Sequence, residues 1–265
     1  MKHVVMYSGG IGSYMAAKRV AQKENIRDII LLFSDTLTED EDLYRFIDQT
    51  IKEIGATFVR LCEGRDVWQV FKDVKYLGNS RIAPCTRVLK QEIARQWIIS
   101  NFQPEEVKLY VGIDWMEIHR LEKIKKNWLP YKIKAPLCES PYYSKLEMFD
   151  ELNRDGITVP RLYKFGFSHN NCGGFCVKAG QAHFKKLYDT MPERFLYHEE
   201  MEQEMIKFLG KEVSILRRQK NNRSYGLTLR KLREEIEEES KEIDLFDFGG
   251  CGCFIEESKI TYKIS

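Results

Sequence analysis

Apolar and polar residues along this chain fall into blocks that switch between two periods. His3 to Tyr7 ("HVVMY") is a short β-branched and aromatic run, and Met15, Ala16, Val20 and Ala21 then recur at helical spacing, which predicts strand, turn and helix. "RDIILLFSDT" is a continuous apolar run of the kind buried on both faces of a sheet, and it ends at Asp35 and Thr36. "EDEDLYRFIDQTIKEIG" predicts a helix. Acids crowd its start, Leu43, Phe46, Ile47, Ile51 and Ile54 share one face, and Gly55 closes it. "ATFVRLC" and "VKLYVGI" predict further strands, and "TRVLKQEIARQWIISNF" and "EIHRLEKIKKN" further helices. Strands alternating with helices imply an α/β fold, doubly wound about a mainly parallel sheet, whose ligands sit beyond the carboxyl ends of the strands. The turn from Ser8 to Ser13, Asp35 and Gly112 all fall at such ends.

From Pro136 onward the pattern loosens into turn-rich stretches such as "APLCESPYYSK" and "FSHNNCGGFCVKAG". A boundary is expected there, with an α/β domain over 1–137 and a smaller, mostly helical, cysteine-containing region over 138–265. A chain of 265 residues can bury the core this requires. The net charge of +2 does not declare a nucleic-acid binder, so only local patches carry that argument. One such patch spans 217–233, with Arg217, Arg218, Lys220, Arg223, Arg230, Lys231 and Arg233, followed at once by the acidic "EEIEEESKE". Two readings stand: a solvated helix of mixed charge, or a contact surface for the phosphates of tRNA or DNA. No apolar run reaches the roughly 18 residues of a membrane span, and the first 20 residues do not read as a secretion signal, so a cytoplasmic protein is expected. Seven cysteines, an odd number, then point to thiols or metal ligands more than to disulfides.

The Ser-Gly-Gly-Ile-Gly-Ser turn carries the first chemistry. A helix start has unpaired backbone N–H groups and partial positive charge, and Gly9, Gly10 and Gly12 allow the chain to curl so that those donors converge on an anion. Ser8 and Ser13 add hydroxyl donors. No lysine follows Gly12, so the turn is not a Walker loop, and the dinucleotide G-x-G-x-x-G spacing is missing too.

These residues carry a resemblance. "SGGIGS" between a strand and a helix is similar to the pyrophosphate (PP) loop of the adenine nucleotide alpha hydrolase superfamily. More specifically, "FSDT", "PCTRVLKQE" and "GIDWMEIHR" resemble, in family order, three segments of its phosphoadenosine phosphosulfate (PAPS) reductase-like branch. Gly12 departs from the Asp found in many relatives. The resemblance implies that Ser8, Gly9, Gly10, Gly12 and Ser13 cradle phosphate, with Asp35 near the adenosine and Gly112 at the neighbouring strand end. It further implies that Arg87 and Lys90 face an anionic group, Arg as a planar fork and Lys as a point charge. Ser13, Arg87 and Lys90 are the expected catalytic residues. Glu117 and Arg120 would close the site, or form a surface helical pair. Cys85 reads as a thiol facing the site or as a small buried residue.

Cys172 and Cys176 in "CGGFC", with Cys251 and Cys253 in "FGGCGCF", make two glycine-flanked pairs, a set able to hold one metal centre. Four thiolates suit an iron-sulfur cluster, the preferred reading, while zinc is the alternative and no metal the third. His169 reads as a capping or core residue. "CVKAGQAHF" also resembles, in part, the zinc-binding end of deazaguanine-synthesising relatives.

The expected function is therefore cleavage of ATP between its α and β phosphates to adenylate a substrate, with nucleic acid the preferred acceptor, for sulfur or nitrogen transfer. Mg2+ would bridge the phosphates and keep several waters. A thiol-dependent reductase of adenylyl sulfate or PAPS, using Cys251 or Cys253, is the second reading. A non-catalytic nucleotide-binding subunit is the third. A homodimer or a complex with partner proteins is compatible with each.

Overall fold

The computed structural model describes residues 1–220, 223–239 and 243–249. In chain order its first half comprises β1 (Lys2–Met6), α1 (Ile11–Lys23), β2 (Ile29–Asp35), α2 (Glu41–Ile54), β3 (Thr57–Cys62), α3 (Val67–Asp73), α4 (Pro84–Thr86), α5 (Ile93–Asn101), β4 (Val107–Val111), α6 (Leu121–Asn127) and β5 (Lys132–Lys134). The second half adds α7 (Lys145–Arg154), α8 (Arg161–Lys164), α9 (Gln181–Thr190), α10 (Pro192–Leu209), β6 (Leu216–Lys220), β7 (Arg223–Leu227) and α11 (Leu229–Glu237).

The five strands of the first half form one sheet in the order β3-β2-β1-β4-β5, and every pairing in it is parallel. β1 is the middle strand. Its Val5 lies opposite Leu31 of β2 and Tyr110 of β4, and Val4 and Val5 are fully buried because helices cover both faces. Strand order reverses between β1 and β4, so the loops leaving those two strands diverge around the crevice where α/β proteins take their ligands. One face is covered by α1 and α2, with Tyr14, Met15, Phe46 and Ile47 in its core; Met148 and Leu152 of α7 join the same cluster. Residues on both sides of position 137 thus share one core. The opposite face packs Ala94, Ile98, Ile124 and Trp128 against Met6, Leu109 and Val111.

A third cluster holds the rest together. Trp68, Phe71, Leu77 and Leu89, from the long connection between β3 and β4, pack with Phe175, Phe184, Phe195 and Leu232 of the second half. Trp68 donates its indole N–H to Nδ1 of buried His198 at 3.1 Å, and the His198 ring stacks on Phe175 at 3.6 Å.

The basic stretch corrects one expectation. Instead of a single helix, it forms the antiparallel hairpin β6–β7 and then α11, which carries much of the acidic run that follows. The hairpin is tied down by Glu202, fully buried on α10, whose two carboxylate oxygens accept from Ile215 N–H at 2.9 Å and Leu229 N–H at 2.6 Å. Among the described residues no helix is long and apolar enough to cross a membrane.

Candidate functional site: the turn after the central strand

The Ser8–Ser13 turn leaves the end of β1 and enters α1. Gly9 has φ of +73°, and a Cβ there would lie 2.9 Å from the Leu43 side chain, so glycine is required twice over. A Cβ on Gly12 would meet the carbonyl oxygen of Gly112 at 2.6 Å, and one on Gly112 would meet the Ser13 backbone at 2.7 Å. The loop after β4 therefore lies backbone against backbone on the first turn of α1. That contact leaves no room for a side chain at position 12.

Ser13 is buried and donates its hydroxyl to Gly10 O at 2.8 Å, with the Ser8 hydroxyl 3.4 Å away. The N-cap residue of α1, Gly10, has no side chain to cap it, and helix geometry itself provides no acceptor for the N–H groups of the first turn. Two residues from far along the chain fasten the turn. The Ile11 N–H donates to the Tyr163 hydroxyl at 3.1 Å, and Asn170, 1% exposed, donates Nδ2 to Gly9 O at 3.0 Å.

A second cluster begins two residues further on. Cys172 donates its backbone N–H to Glu39 Oε2, and its Sγ lies 3.5 Å from Lys90 Nζ. Lys90 in turn lies 3.4 Å from Glu39 Oε1, which also accepts from the Thr36 hydroxyl at 3.0 Å. Glu39 is almost fully enclosed. Lys90 is presented by a π-helical stretch, Arg87–Glu92, inserted between α4 and α5; such bulges displace a side chain from the regular helical face. Asp40, beside Glu39, is fully buried and takes bidentate hydrogen bonds from Arg161 at 2.8 and 2.9 Å and one from Arg194 at 2.7 Å. Burial alone would raise its pKa, but those guanidinium groups and the Asp42 N–H hold it below the usual carboxylate value. Arg194 also donates to Gly173 O at 2.7 Å, so the Cys172–Gly174 turn is anchored to the loop after β2. A cleft of about 410 Å3 opens there, lined by Leu37, Thr38, Glu39, Trp68, Arg194 and Tyr197 among others.

The other expected residues are placed as follows. Asp35, fully buried at the end of β2, accepts from Arg60 Nε at 2.8 Å, Tyr44 hydroxyl at 2.9 Å and Leu37 N–H at 2.9 Å, so its carboxylate is engaged within the protein. Arg87 lies 3.6 Å from Glu92. Glu117 and Arg120 pair directly, in a tight turn directly after β4, with Arg120 buried and Glu117 half-buried. Cys85 is half-buried and packs against the third cluster. Cys172 and Cys176 are half-buried thiols in the described part of the chain, while Cys251 and Cys253 lie outside the described residues. Among the described residues no group of three or more His, Cys, Asp or Glu side chains is placed to hold a metal ion.

Three residues of the site escaped the sequence reading: Glu39, Tyr163 and Asn170. Nothing local marks Tyr163, because its bond to Ile11 spans 152 residues of sequence. Asn170 lies in "SHNNC", where turn-forming composition was the only signal. His169, expected as a core or capping residue, is half-buried and its pKa falls to about 4, first through burial and then through the positive charges of Lys145 and Arg120.

No protein-family model matches the chain. No curated protein matches it either. Among solved structures it is similar to the NH3-dependent NAD synthetase from Campylobacter jejuni subsp. jejuni NCTC 11168 in complex with the nitrate ion, at 14% identity and a TM-score of 0.38, over 80% of this chain and 88% of that one. A likeness of that size assigns neither family nor activity.

Proposed function

We propose that this protein is a PP-loop enzyme that binds ATP at the Ser8–Ser13 turn and cleaves it between the α and β phosphates. One observation carries the reading: the serine- and glycine-rich turn joins the central strand to a helix whose N-cap residue is glycine, at the point where strand order reverses, with Gly12 pressed on Gly112 of the adjacent strand end. In the reaction an acceptor oxygen bonds to the α phosphorus, the bond from that phosphorus to the bridging oxygen breaks, and pyrophosphate departs with the electron pair. Amides of the turn and the Ser8 and Ser13 hydroxyls meet the charge that builds on the leaving group, and such prearranged donors cost no reorganisation during the step. The cleft beside Glu39 is the proposed place for the acceptor, next to Lys90 and Cys172. The described residues offer no cage for Mg2+, so no step is assigned to it.

The test is incubation with ATP, with release of pyrophosphate and AMP followed alongside calorimetric titration. Binding of ATP with pyrophosphate release in the presence of an acceptor is the expected result. Absence of both binding and release overturns the reading, and sulfite release from adenylyl sulfate replaces it with the reductase. A four-cysteine centre that includes Cys172, Cys176, Cys251 and Cys253 is tested separately by anaerobic purification with metal analysis: about four irons per chain identify a cubane cluster, zinc selects the alternative, and neither removes the centre.

A further inference from the structure

The geometry points to a cleft at the C-terminal end of α10 that holds a single-stranded nucleic acid, its phosphates on Lys75, Lys211 and Arg217 and a base on the Tyr225 ring, and so brings the strand toward the acceptor cleft beside Glu39. This deepens the reading above by naming the class of acceptor, and rests on that reading only for the reaction the strand undergoes.

The cavity measures about 700 Å3 and is walled by the turn after α3, the last turn of α10 and the β6–β7 hairpin. Among the described residues that line it, the cations are Lys75, Lys211, Arg217 and Arg230, and the one acid is Glu212. Arg230 is already paired with Glu199. Arg217 gives its Nε–H to the Ser224 hydroxyl at 2.8 Å, a neutral partner that leaves its charge uncompensated. Lys75 and Lys211 are exposed, and neither makes an ion pair or a side-chain hydrogen bond with another described residue. Three uncompensated cations around one concavity, against one carboxylate, favour a polyanion.

Tyr225 selects a single strand. Its side chain, 50% exposed in the same wall, offers a ring on which a base can stack, whereas a duplex keeps its bases inside and presents only its backbone. Lys75 adds independent weight, because it stands where a helix commonly ends in glycine. Its φ is +49°, Tyr76 N–H donates to Phe71 O at 3.0 Å and Lys75 N–H to Lys72 O at 3.1 Å, the hydrogen-bond pattern of a left-handed helix end. α10 closes with Gly210 in the same backbone conformation, at φ of +61°. A lysine held there bears strain that glycine avoids, so the ammonium stands at the cleft at a conformational cost.

Two helices join this cleft to the other. Arg194 and Tyr197 of α10 line the acceptor cleft, and Ile206 and Leu209 line the basic one. At a helical rise of about 1.5 Å per residue, Tyr197 and Leu209 are about 18 Å apart. α3 spans the same interval, from Trp68 at the acceptor cleft toward Lys75 at the basic one, and its Lys72 pairs with Glu204 of α10 at 3.2 Å in between.

The experiment measures fluorescence anisotropy of labelled oligo(U) and oligo(dT) of about twelve nucleotides, and of a duplex of equal length, over a range of salt. Wild type is compared with Lys75→Gly, the triple variant Lys75→Gly, Lys211→Ser, Arg217→Gln, and Tyr225→Phe and Tyr225→Ala, with melting temperature and ATP affinity recorded for each. Lys75→Gly is expected to weaken the single strand about threefold while melting no lower than wild type, because glycine relaxes the left-handed backbone. The triple variant loses about tenfold or more and binds with a shallower salt dependence, Tyr225→Ala loses about threefold at an unchanged salt slope, and Tyr225→Phe keeps the affinity. Either order of affinity for the two strands supports the cleft, and the tighter one names the polymer. A duplex that binds as tightly as the strands, poly-glutamate that displaces the labelled strand as well as unlabelled oligo(U) does, or wild-type affinity in Lys75→Gly or in a triple variant that melts like wild type overturns it. In those cases an unaltered ATP affinity leaves the nucleotide reading standing, whereas wild type that binds the strand but neither binds nor cleaves ATP overturns that reading and not the cleft.

Discussion

Gly12 and Gly112 touch through their backbones at the reversal of strand order: a Cβ on Gly12 would lie 2.6 Å from the Gly112 carbonyl oxygen. That obstacle is main chain, anchored in the sheet through β4, so it cannot swing aside as a flexible side chain would. Gly12→Ala should therefore destabilise the fold by about 1–3 kcal/mol, the usual cost of overpacking, and Gly12→Asp by more. Chemical denaturation of the two variants checks this. ATP affinity should fall with stability, because relief of the clash requires the first turn of α1 to shift. An unchanged midpoint for Gly12→Asp would show that the turn has slack to accept the acid.

The same contact shows what the sequence could reveal. Period and turn chemistry made β1, α1, β2, α2, β3 and β4 legible, since Val4, Leu31 or Phe46 announce buried faces within a few residues of themselves. The glycine turn was legible for the same local reason. Partnership between distant segments was not. Val67, Trp68, Val70 and Phe71 read as apolar, but only the fold reveals that they belong with Phe175 and Phe195 and not with the sheet beside them. Tyr163 gives no sign of its bond to Ile11, and the charge string at 217–233 does not say that a hairpin intervenes before the helix.

Arg218 and Glu235 pair at 2.6 Å, and both side chains are largely buried. Arg218 also donates to the Gln181 side chain at 2.9 Å. Close by, Arg233 and Arg230 are committed to Glu199, at 2.7 and 3.3 Å. These guanidinium groups thus hold the hairpin, α9, α10 and α11 together. Arg218→Ala should cost about 2–4 kcal/mol, since removal of one partner leaves a buried carboxylate behind. Its retention on a polyanion column should remain close to that of wild type across a salt gradient. A large loss of retention without loss of stability would favour the contact surface for nucleic acid.

Asp40 receives Arg161 and Arg194 at the junction between the loop after β2 and the cysteine-bearing turn. Asp40→Asn keeps the shape and removes the charge. About 3 kcal/mol should be lost, moderated by solvent around Arg161. Because the folded-state pKa of Asp40 lies below its unfolded value, its contribution is fully present above pH of about 4 and disappears as pH falls through the folded value. Wild type and Asp40→Asn should accordingly converge in stability under acid. Parallel curves down to the lowest accessible pH would mean that the carboxylate contributes no charge-dependent stability.

His198 and Glu202, both buried on α10, set opposite pH slopes. Burial, helped by Arg194, lowers the His198 pKa to about 3, so the folded protein holds it neutral with Nδ1 accepting from Trp68. Its unfolded value near 6.5 lies higher, so the stability it supports is present above about pH 6.5 and is lost as pH falls toward 3, at about 1.4 kcal/mol per unit. Glu202 runs the other way. Burial raises it to about 7 despite the two backbone N–H groups it accepts, so its contribution is greatest below about pH 4.5 and is lost as pH rises through 7. Between about pH 4.5 and 6.5 the two slopes are opposite in sign and largely cancel, so wild-type stability measured by denaturant should change little across that window. His198→Asn, which retains an acceptor for the indole, should leave a fall in stability as pH rises, and Glu202→Gln should leave a rise. If His198→Asn stays as flat as wild type, protons taken up on unfolding bind elsewhere, with half-buried His169, already lowered to about 4, the next group to substitute.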